Sequence, residues 1–237
     1  MTLRECFDAH RGRLAGKVDH FFDVYEKHLA RFCGTDVRVL EIGVDRGGSL
    51  ELWQKYFGAK AAVHGVDINP EAAGFAPAGC KVHTGSQVDQ AFMQAIVDEH
   101  GPFDVVIDDG SHLMPHQIRT FEMLYPRLSE DGLYICEDAF TSYWQEYGGK
   151  LRGADTFMEY AKALVDDLHA FWILDEDYSP APFTRMTEAI HFYSGAVVFQ
   201  RKAVVEPVYV LRAGETCSSV EIAELKRIAA RQLGKPV

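Results

Sequence analysis

Two short acidic runs in the chain have the makings of a metal site beside a base: Ile107-Asp108-Asp109-Gly110-Ser111-His112 and, after a helical stretch, Cys136-Glu137-Asp138. Each follows an apolar segment, Phe103 to Ile107 and Gly132 to Cys136, so the carboxylates cluster where two buried strands stop. Open α/β sheets bind their ligands at those carboxyl ends. A hard cation such as Mg²⁺ prefers oxygen ligands, a few carboxylates with the remaining positions left to water and substrate, and Asp109, Glu137 and Asp138 meet that description. Without a cation the three acids repel one another and raise their own pKa values. His112 lies in a turn that returns its side chain toward this cluster. A sugar or alcohol hydroxyl is a poor nucleophile at neutral pH, and a cation that lowers its pKa complements an imidazole that accepts its proton. The competing role for the acids is helix capping or pairing with Arg or Lys. Asp108 is assigned to a cofactor rather than to the metal, His116 to a helix surface or to a place just behind the site, and His64, His83 and His191 to strand patterns.

The first strand runs into a glycine-rich turn, Glu41-Ile42-Gly43-Val44-Asp45-Arg46-Gly47-Gly48-Ser49. The dinucleotide fingerprint G-x-G-x-x-G requires glycine where Asp45 stands, so this is a different turn. Its spacing, E-x-G-x-x-x-G, is similar to the first motif of class I S-adenosylmethionine (SAM)-dependent methyltransferases. In that reading Gly43 lets the backbone pass close to the ligand, Gly47 or Gly48 opens the next helix together with Ser49, and Glu41 acts on the methionine end through neighbouring groups. The second strand ends in Val66-Asp67-Ile68-Asn69-Pro70, and a carboxylate there accepts hydrogen bonds from both vicinal hydroxyls of a ribose. Asp67 and Asn69 are also good helix caps. Ser86 and Gln87 follow the third strand, where class I methyltransferases read the adenine edge. The competing reading is a set of turns that serve only the chain path.

These residues need a scaffold, and the pattern supplies one. Strands are expected at 37–42, 62–68, 81–84, 103–109 and 132–137, separated by helices at 48–57, 87–100 and 115–128. Strand and helix in alternation imply right-handed crossovers and a parallel sheet. A further helix is expected near 154–170, and 188–193 with 196–201 flank Ser194-Gly195 as an antiparallel hairpin that closes the sheet. Helices are also expected at 2–15, with Leu3, Phe7, His10 and Leu14 on one stripe, at 18–32, and from Val220 to Leu233. The fold class is therefore α/β, a Rossmann-like, mostly parallel seven-stranded sheet in one domain. Residues 1–35 form a helical cap, 37–202 the cofactor-binding core, and 203–237 a tail and helix.

Composition narrows the partners. The 237 residues are 47% hydrophobic and 25% charged, enough for one sizeable core. A formal net charge of −11 without a Lys/Arg stripe argues against a nucleic-acid partner. The N-terminus is too polar for a signal peptide and no stretch is apolar enough to span a bilayer, so a cytoplasmic protein without a membrane partner is expected. Five cysteines, Cys6, Cys33, Cys80, Cys136 and Cys217, are scattered without a CxxC pair, and reduced, mostly core thiols are expected.

The runs VLEIGVDRGGSLELW, IDDGSH and ICEDAFTSYW are together similar to those of Mg²⁺-dependent, SAM-dependent sugar O-methyltransferases, which act on deoxysugar units of macrolide and polyketide glycosides or on surface glycans. The resemblance covers about residues 37–202. It implies Asp109, Glu137 and Asp138 as ligands of Mg²⁺, His112 as general base, and Asp67 with the glycine turn as the SAM site. Catechol-type methyltransferases look like more distant relatives, with lysine where His112 stands and asparagine where Asp138 stands. Some macrolide-acting members carry an additional N-terminal domain, whereas only residues 1–35 precede the first strand here, so the acceptor is not carried over. Tyr143 and Trp144 are expected to meet the acceptor sugar, since aromatic faces pack on sugar rings while polar tips hydrogen bond, and 145–155 is a candidate lid. The expected partner is a small-molecule glycoside or glycan, with a homo-oligomer suggested by apolar helices at both ends. The alternatives are an O-methyltransferase acting on a phenolic or other antibiotic core, and a non-catalytic module.

Overall fold

Strands β1 (Arg38–Ile42), β2 (Ala62–Asp67), β3 (Lys81–Thr84), β4 (Val105–Asp108) and β5 (Leu133–Cys136) pair in parallel. The central ones are short, rich in β-branched residues and buried on both faces, as a sheet sandwiched by helices requires. The hairpin of β6 (Thr187–Tyr193) and β7 (Ala196–Arg201) turns at Ser194-Gly195, and β7 lies antiparallel beside β5. The resulting seven-stranded order, β3-β2-β1-β4-β5-β7-β6, matches the expected fold class. The structure, a computed structural model, describes residues 1–175, 177–213 and 216–232.

Because strand side chains alternate between faces, each strand divides its residues between two cores. Val39, Ile107, Ile135 and Val198 pack under α1 (Leu3–Asp8), α2 (Phe21–Leu29) and α3 (Gly48–Phe57), against Leu3, Phe21, Tyr25 and Trp53. Leu40, Ile42, Val106, Tyr134 and Phe199 face α5 (Met114–Leu124) and α6 (Phe157–Leu168), where Phe121 sits among the rings of Tyr125, Tyr134, Phe157 and Phe199. Helix α4 (Gln90–His100) completes this second face, and α7 (Pro182–Met186) leads into β6. The same alternation decides which acids at the strand ends share a side.

Three features differ from the sequence expectation. The helix expected at 2–15 ends at Asp8 after a Thr2–Glu5 capping box, and 9–20 continue as loop. Gly12 and Gly16 fall in that stretch, each unfavourable in a helix by about 1 kcal/mol relative to alanine. The loop is fastened to α3 instead, where Glu51 Oε2 accepts from the Arg13 amide at 3.0 Å, and Leu14 is left exposed rather than on a buried stripe. The apolar residues of α1 and α2, expected as an exposed face, are buried in the core under the sheet. Finally, β8 (Val208–Ala213) and β9 (Thr216–Glu221) form a separate two-stranded hairpin where a tail was expected. Helix α8 (Ile222–Gln232) follows and docks on the domain, with Ile222 buried and Lys226 Nζ donating to the Ile173 carbonyl at 2.6 Å; Leu233 of the expected helix lies outside the described residues. The cysteines are free, with Cys6 and Cys136 buried, Cys33 and Cys80 half-buried and Cys217 exposed. Among the described residues no helix is long and apolar enough to cross a membrane.

The edge strand β6 is held to α2 by His28, whose Nε2 lies 2.8 Å from the Tyr193 hydroxyl and whose ring packs on His191. Burial first, then His191 and Lys27, lower the His28 pKa to about 4. The folded state therefore binds fewer protons than the unfolded chain, and this contribution to stability is lost as pH falls from about 6.5 toward 4. Denaturant titrations at pH 7 and pH 4.5 are expected to show His28→Leu losing about 2 kcal/mol less than wild type on acidification; equal losses would separate His28 from the acid response.

Candidate active site

The carboxyl ends of β1, β4 and β5 place Glu41, Asp109 and Glu137 side by side on the face that packs against α3 and the N-terminal segment. Glu41 lies opposite Ile107, and Asp108 opposite Cys136, so Asp109 and Glu137 each follow at the next position on the same side. Into this group reaches Lys17, a residue that the sequence reading passed over. Its Nζ is 2.6 Å from Asp109 Oδ2, 3.0 and 2.9 Å from the two Glu137 oxygens and 3.7 Å from Glu41 Oε1. Lys17 and Glu137 side chains are each only 3% exposed. Burial opposes the charge on Lys17, but Glu137, Tyr25, Asp109 and Glu41 outweigh it and hold the ammonium pKa well above its ordinary value. Burial and Asp109 push the Glu137 carboxyl upward against the pull of Lys17. Both Glu137 oxygens accept from the Lys17 ammonium, a contact that favours the ionised form against that upward push.

Asp138 and His112 stand on the outer side of this pair. His112 Nε2 is 3.8 Å from both Asp109 Oδ1 and Asp138 Oδ2, and donor atoms of Asp109, His112 and Asp138 all lie within 4.8 Å of one another. Among the described residues the buried His112 Nδ1 has no hydrogen-bond partner, and the ring meets Tyr147 edge-on at 6.1 Å. Both His112 (φ 55°) and Asp138 (φ 50°) hold left-handed backbone, a conformation that side chains other than glycine adopt at a cost and that aims both groups inward. Asp138, Asp109 and Glu137 line one cavity of about 270 Å³ together with Lys17. The oxygen-rich donor set fits a hard divalent ion held by Asp109 and Asp138. Glu137, expected as an equal third ligand, is set one layer deeper and engaged by Lys17.

A trough continues from this cluster across the ends of β1 and β2. A cavity of about 480 Å³ is lined by Ala15, Lys17, Gly43, Ser49, Asp67 and Asp109. A neighbouring one of about 190 Å³, walled by Ile42, Val66 and Ile68, shares Gly43, Asp67 and Gly110 with it. Asp67 stands between the two, as expected, but its carboxylate already serves the turn. Oδ2 accepts from the Val44 and Asp45 amides at 2.9 and 3.0 Å, and Oδ1 from Asn69 at 2.8 Å. Ser86 and Gln87 reach the smaller cavity, joined there by Ser111 and His116, which the sequence reading had left aside. The Gln87 amide is largely committed: Oε1 accepts from the Ser111 amide at 2.9 Å, while Nε2 donates to Thr120 Oγ1 and Asp108 Oδ1 at 2.9 and 3.2 Å.

Several assigned residues support the trough from behind. Glu41 is fully buried and lines neither cavity; it accepts from Ser49 Oγ at 2.6 Å and Trp53 Nε1 at 2.8 Å, fixing the start of α3. Gly43 (φ 91°) is required by the crossing of two strand ends, since a Cβ there would stand 2.1 Å from the Asp109 carbonyl oxygen. Gly47 (φ 77°) faces the Phe75 carbonyl, and Gly48 and Ser49 line the cavity in its place. Asp108, expected at the cofactor, points to the opposite face by strand alternation. It accepts from Tyr134 Oη at 2.8 Å, and burial raises its pKa to about 7. Trp144 is half exposed and packs at tilted angles between Phe140 and Tyr147, while Tyr143 is 44% exposed. The loop 145–155 is tied back by Gly149 N to Trp144 O and Lys150 N to Ser142 O, both 2.8 Å, so it sits as a fastened loop rather than an open lid.

A family profile described as a methyltransferase domain matches residues 40–139. The seven-stranded sheet that contains these residues has the class I methyltransferase fold. The chain is 36% identical over 211 residues to the 8-demethyl-8-(2-methoxy-alpha-L-rhamnosyl)-tetracenomycin-C 3'-O-methyltransferase of Streptomyces olivaceus, covering 80% of this chain and 53% of the relative. It is 34% identical over 200 residues to the L-olivosyl-oleandolide 3-O-methyltransferase of Streptomyces antibioticus, covering 80% and 51%. Among solved structures, the MycE methyltransferase from the mycinamycin biosynthetic pathway, in complex with Mg, SAH and mycinamycin VI, superposes with a TM-score of 0.77 at 29% identity over 86% of this chain and 54% of that one. The resemblance to sugar O-methyltransferases drawn from IDDGSH and ICEDAFTSYW is thereby borne out. The chain spans about half the length of the curated relatives it matches.

Replacing Lys17 by methionine leaves Asp109 and Glu137 without their counter-charge, a loss of about 3–5 kcal/mol for a buried pair. Thermal melts in EDTA are expected to show that destabilisation, and millimolar Mg²⁺ to reverse much of it. The same deficit with and without Mg²⁺ would show that no cation takes up the charge.

Proposed function

We propose that this protein is a SAM-dependent, Mg²⁺-dependent O-methyltransferase that methylates a sugar hydroxyl of a glycosylated natural product or glycan. The observation that carries the reading is the convergence of Asp109, His112 and Asp138 within 4.8 Å at one end of the trough containing Gly43 and Asp67. The relatives add support: two are named as methyltransferases of glycosides, and MycE is described with Mg, SAH and a macrolide.

In this reading the methionine part of SAM lies in the cavity beside Gly43 and Ser49, the ribose at Asp67, and the adenine in the apolar recess of Ile42, Val66 and Ile68, with Ser86, Gln87, Ser111 and His116 at its edge. Mg²⁺ at Asp109 and Asp138, with Glu137 behind them, supplies positive charge that favours loss of the acceptor's proton. His112 would accept that proton, and SAM bound in the trough would supply the methyl group to the hydroxyl oxygen and leave as S-adenosylhomocysteine. Lys17 keeps the inner carboxylates ionised and fixed. Trp144 and Tyr143, with Tyr147, offer aromatic surface to the acceptor ring. Positioning of oxygen and carbon contributes most of the acceleration. A homo-oligomer belongs to the same reading, resting on Val208, Tyr209, Val210 and Leu211, exposed along β8.

Turnover on a panel of deoxysugar glycosides is expected to exceed that on catechols, and EDTA to abolish it; full activity in EDTA, or catechols preferred, would overturn the sugar and metal assignments. His112→Ala is expected to lose about 10²- to 10⁴-fold in kcat while binding SAM normally by calorimetry. Asp67→Ala is expected to lose SAM binding; if its affinity equals that of wild type, the ribose does not sit at Asp67.

A further inference from the structure

On the α4 side of the sheet, away from the trough, three histidines from three elements meet: His64 of β2, His83 of β3 and His100 at the end of α4. His64 lies three residues before Asp67, which at strand rise is about 10 Å from the carboxyl end. Its Nδ1 is 3.1 Å from His83 Nε2, the His64 and His100 rings are 4.6 Å apart, and those of His83 and His100 are 5.1 Å apart. One ring nitrogen from each lies within 4.8 Å of the others. His64 is buried, with the Phe103 ring edge-on at 5.5 Å, and the other two are half-buried.

Among the described residues a single hydrogen bond joins the three rings, which is little for imidazoles placed this close and this deep. We propose that His64, His83 and His100 form a binding site for a divalent transition ion of the Zn²⁺ type, distinct from the acidic cluster at Asp109 and Asp138. Two nitrogens bound to one tetrahedral Zn²⁺ at about 2.0–2.1 Å stand about 3.4 Å apart, close to the His64–His83 separation. A small rotation of His100 closes the triangle. Three neutral imidazoles favour Zn²⁺, Co²⁺ or Ni²⁺ over Mg²⁺, whose preference is for oxygen, so the two sites divide metals by donor chemistry. Glu99 Oε1, 3.3 Å from His100 Nε2, supplies negative charge beside the cation, and water completes the shell. Such an ion clasps β2, the edge strand β3 and the end of α4 together.

The test is titration of Co²⁺ into the whole chain in saturating Mg²⁺, read by its visible absorption. Expected are one equivalent with the intense bands of tetrahedral cobalt, at least tenfold weaker binding in His83→Ala and in His100→Ala, and unchanged binding in His112→Ala. No such bands, bands unaffected in both His83→Ala and His100→Ala, or bands lost in His112→Ala alone would each overturn the proposal. Should both cluster variants fail to fold, His100→Gln and the wild-type melting temperature decide. A Zn²⁺-dependent rise retained in His112→Ala supports the site, and its absence overturns it.

Discussion

A single ammonium sets the terms for the rest of the site. Lys17 lies within 3.0 Å of Asp109 and Glu137 and within 3.7 Å of Glu41, and all three acids sit at strand ends closed over by α3 and the N-terminal segment. Without it, carboxylates would face one another in a largely buried region, where repulsion and desolvation act together. With it, the inner acids become a rigid, charged floor. Asp138 and the outer oxygen of Asp109 remain for a cation, and His112 for a proton.

The floor follows from the period of a strand. Adjacent residues point to opposite faces, so of the paired acids Asp108-Asp109 only the second reaches the cluster, while the first is turned among Tyr134 and Gln87. Cys136-Glu137 divides in the same way, the thiol going to the aromatic core around Phe121 and the carboxylate to Lys17. One strand end thus serves two purposes at once. Its inward acid contributes to chemistry, and its neighbour anchors the strand to the opposite helical layer.

Much of this was legible in the sequence, and the misses have physical reasons. Apolar segments of strand length alternating with helical periods gave the sheet and its closing hairpin, because buried parallel strands leave few other patterns. Spacing in IDDGSH and CED brought Asp109, His112 and Asp138 to one place, since consecutive strand ends in a parallel sheet are neighbours. The facing of Asp108, and the service of Glu41 to Ser49 and Trp53 rather than to a cavity, depended on side-chain direction that a motif does not encode. Lys17 carried no local signal at all. It lies in a loop whose partners are 92 and 120 positions away, and only the folded chain brings them together. The break in the first helix falls where Gly12 and Gly16 stand, a cost that the apolar stripe of Leu3, Phe7, His10 and Leu14 does not register.

The Asp67 carboxylate is fastened to the Val44 and Asp45 amides before any ligand arrives. A carboxylate has about four acceptor positions, and three are occupied here. A pair of hydroxyls arriving at this group must therefore share it with the turn after β1 or draw it away. That turn runs directly into Gly47 and α3, whose Ser49 and Trp53 hold Glu41, which in turn faces Lys17. Hydrogen bonds from Asp67 to the turn and from Ser49 to Glu41, with a 3.7 Å ion pair from Glu41 to Lys17, thus make one continuous set of contacts that spans both ends of the trough.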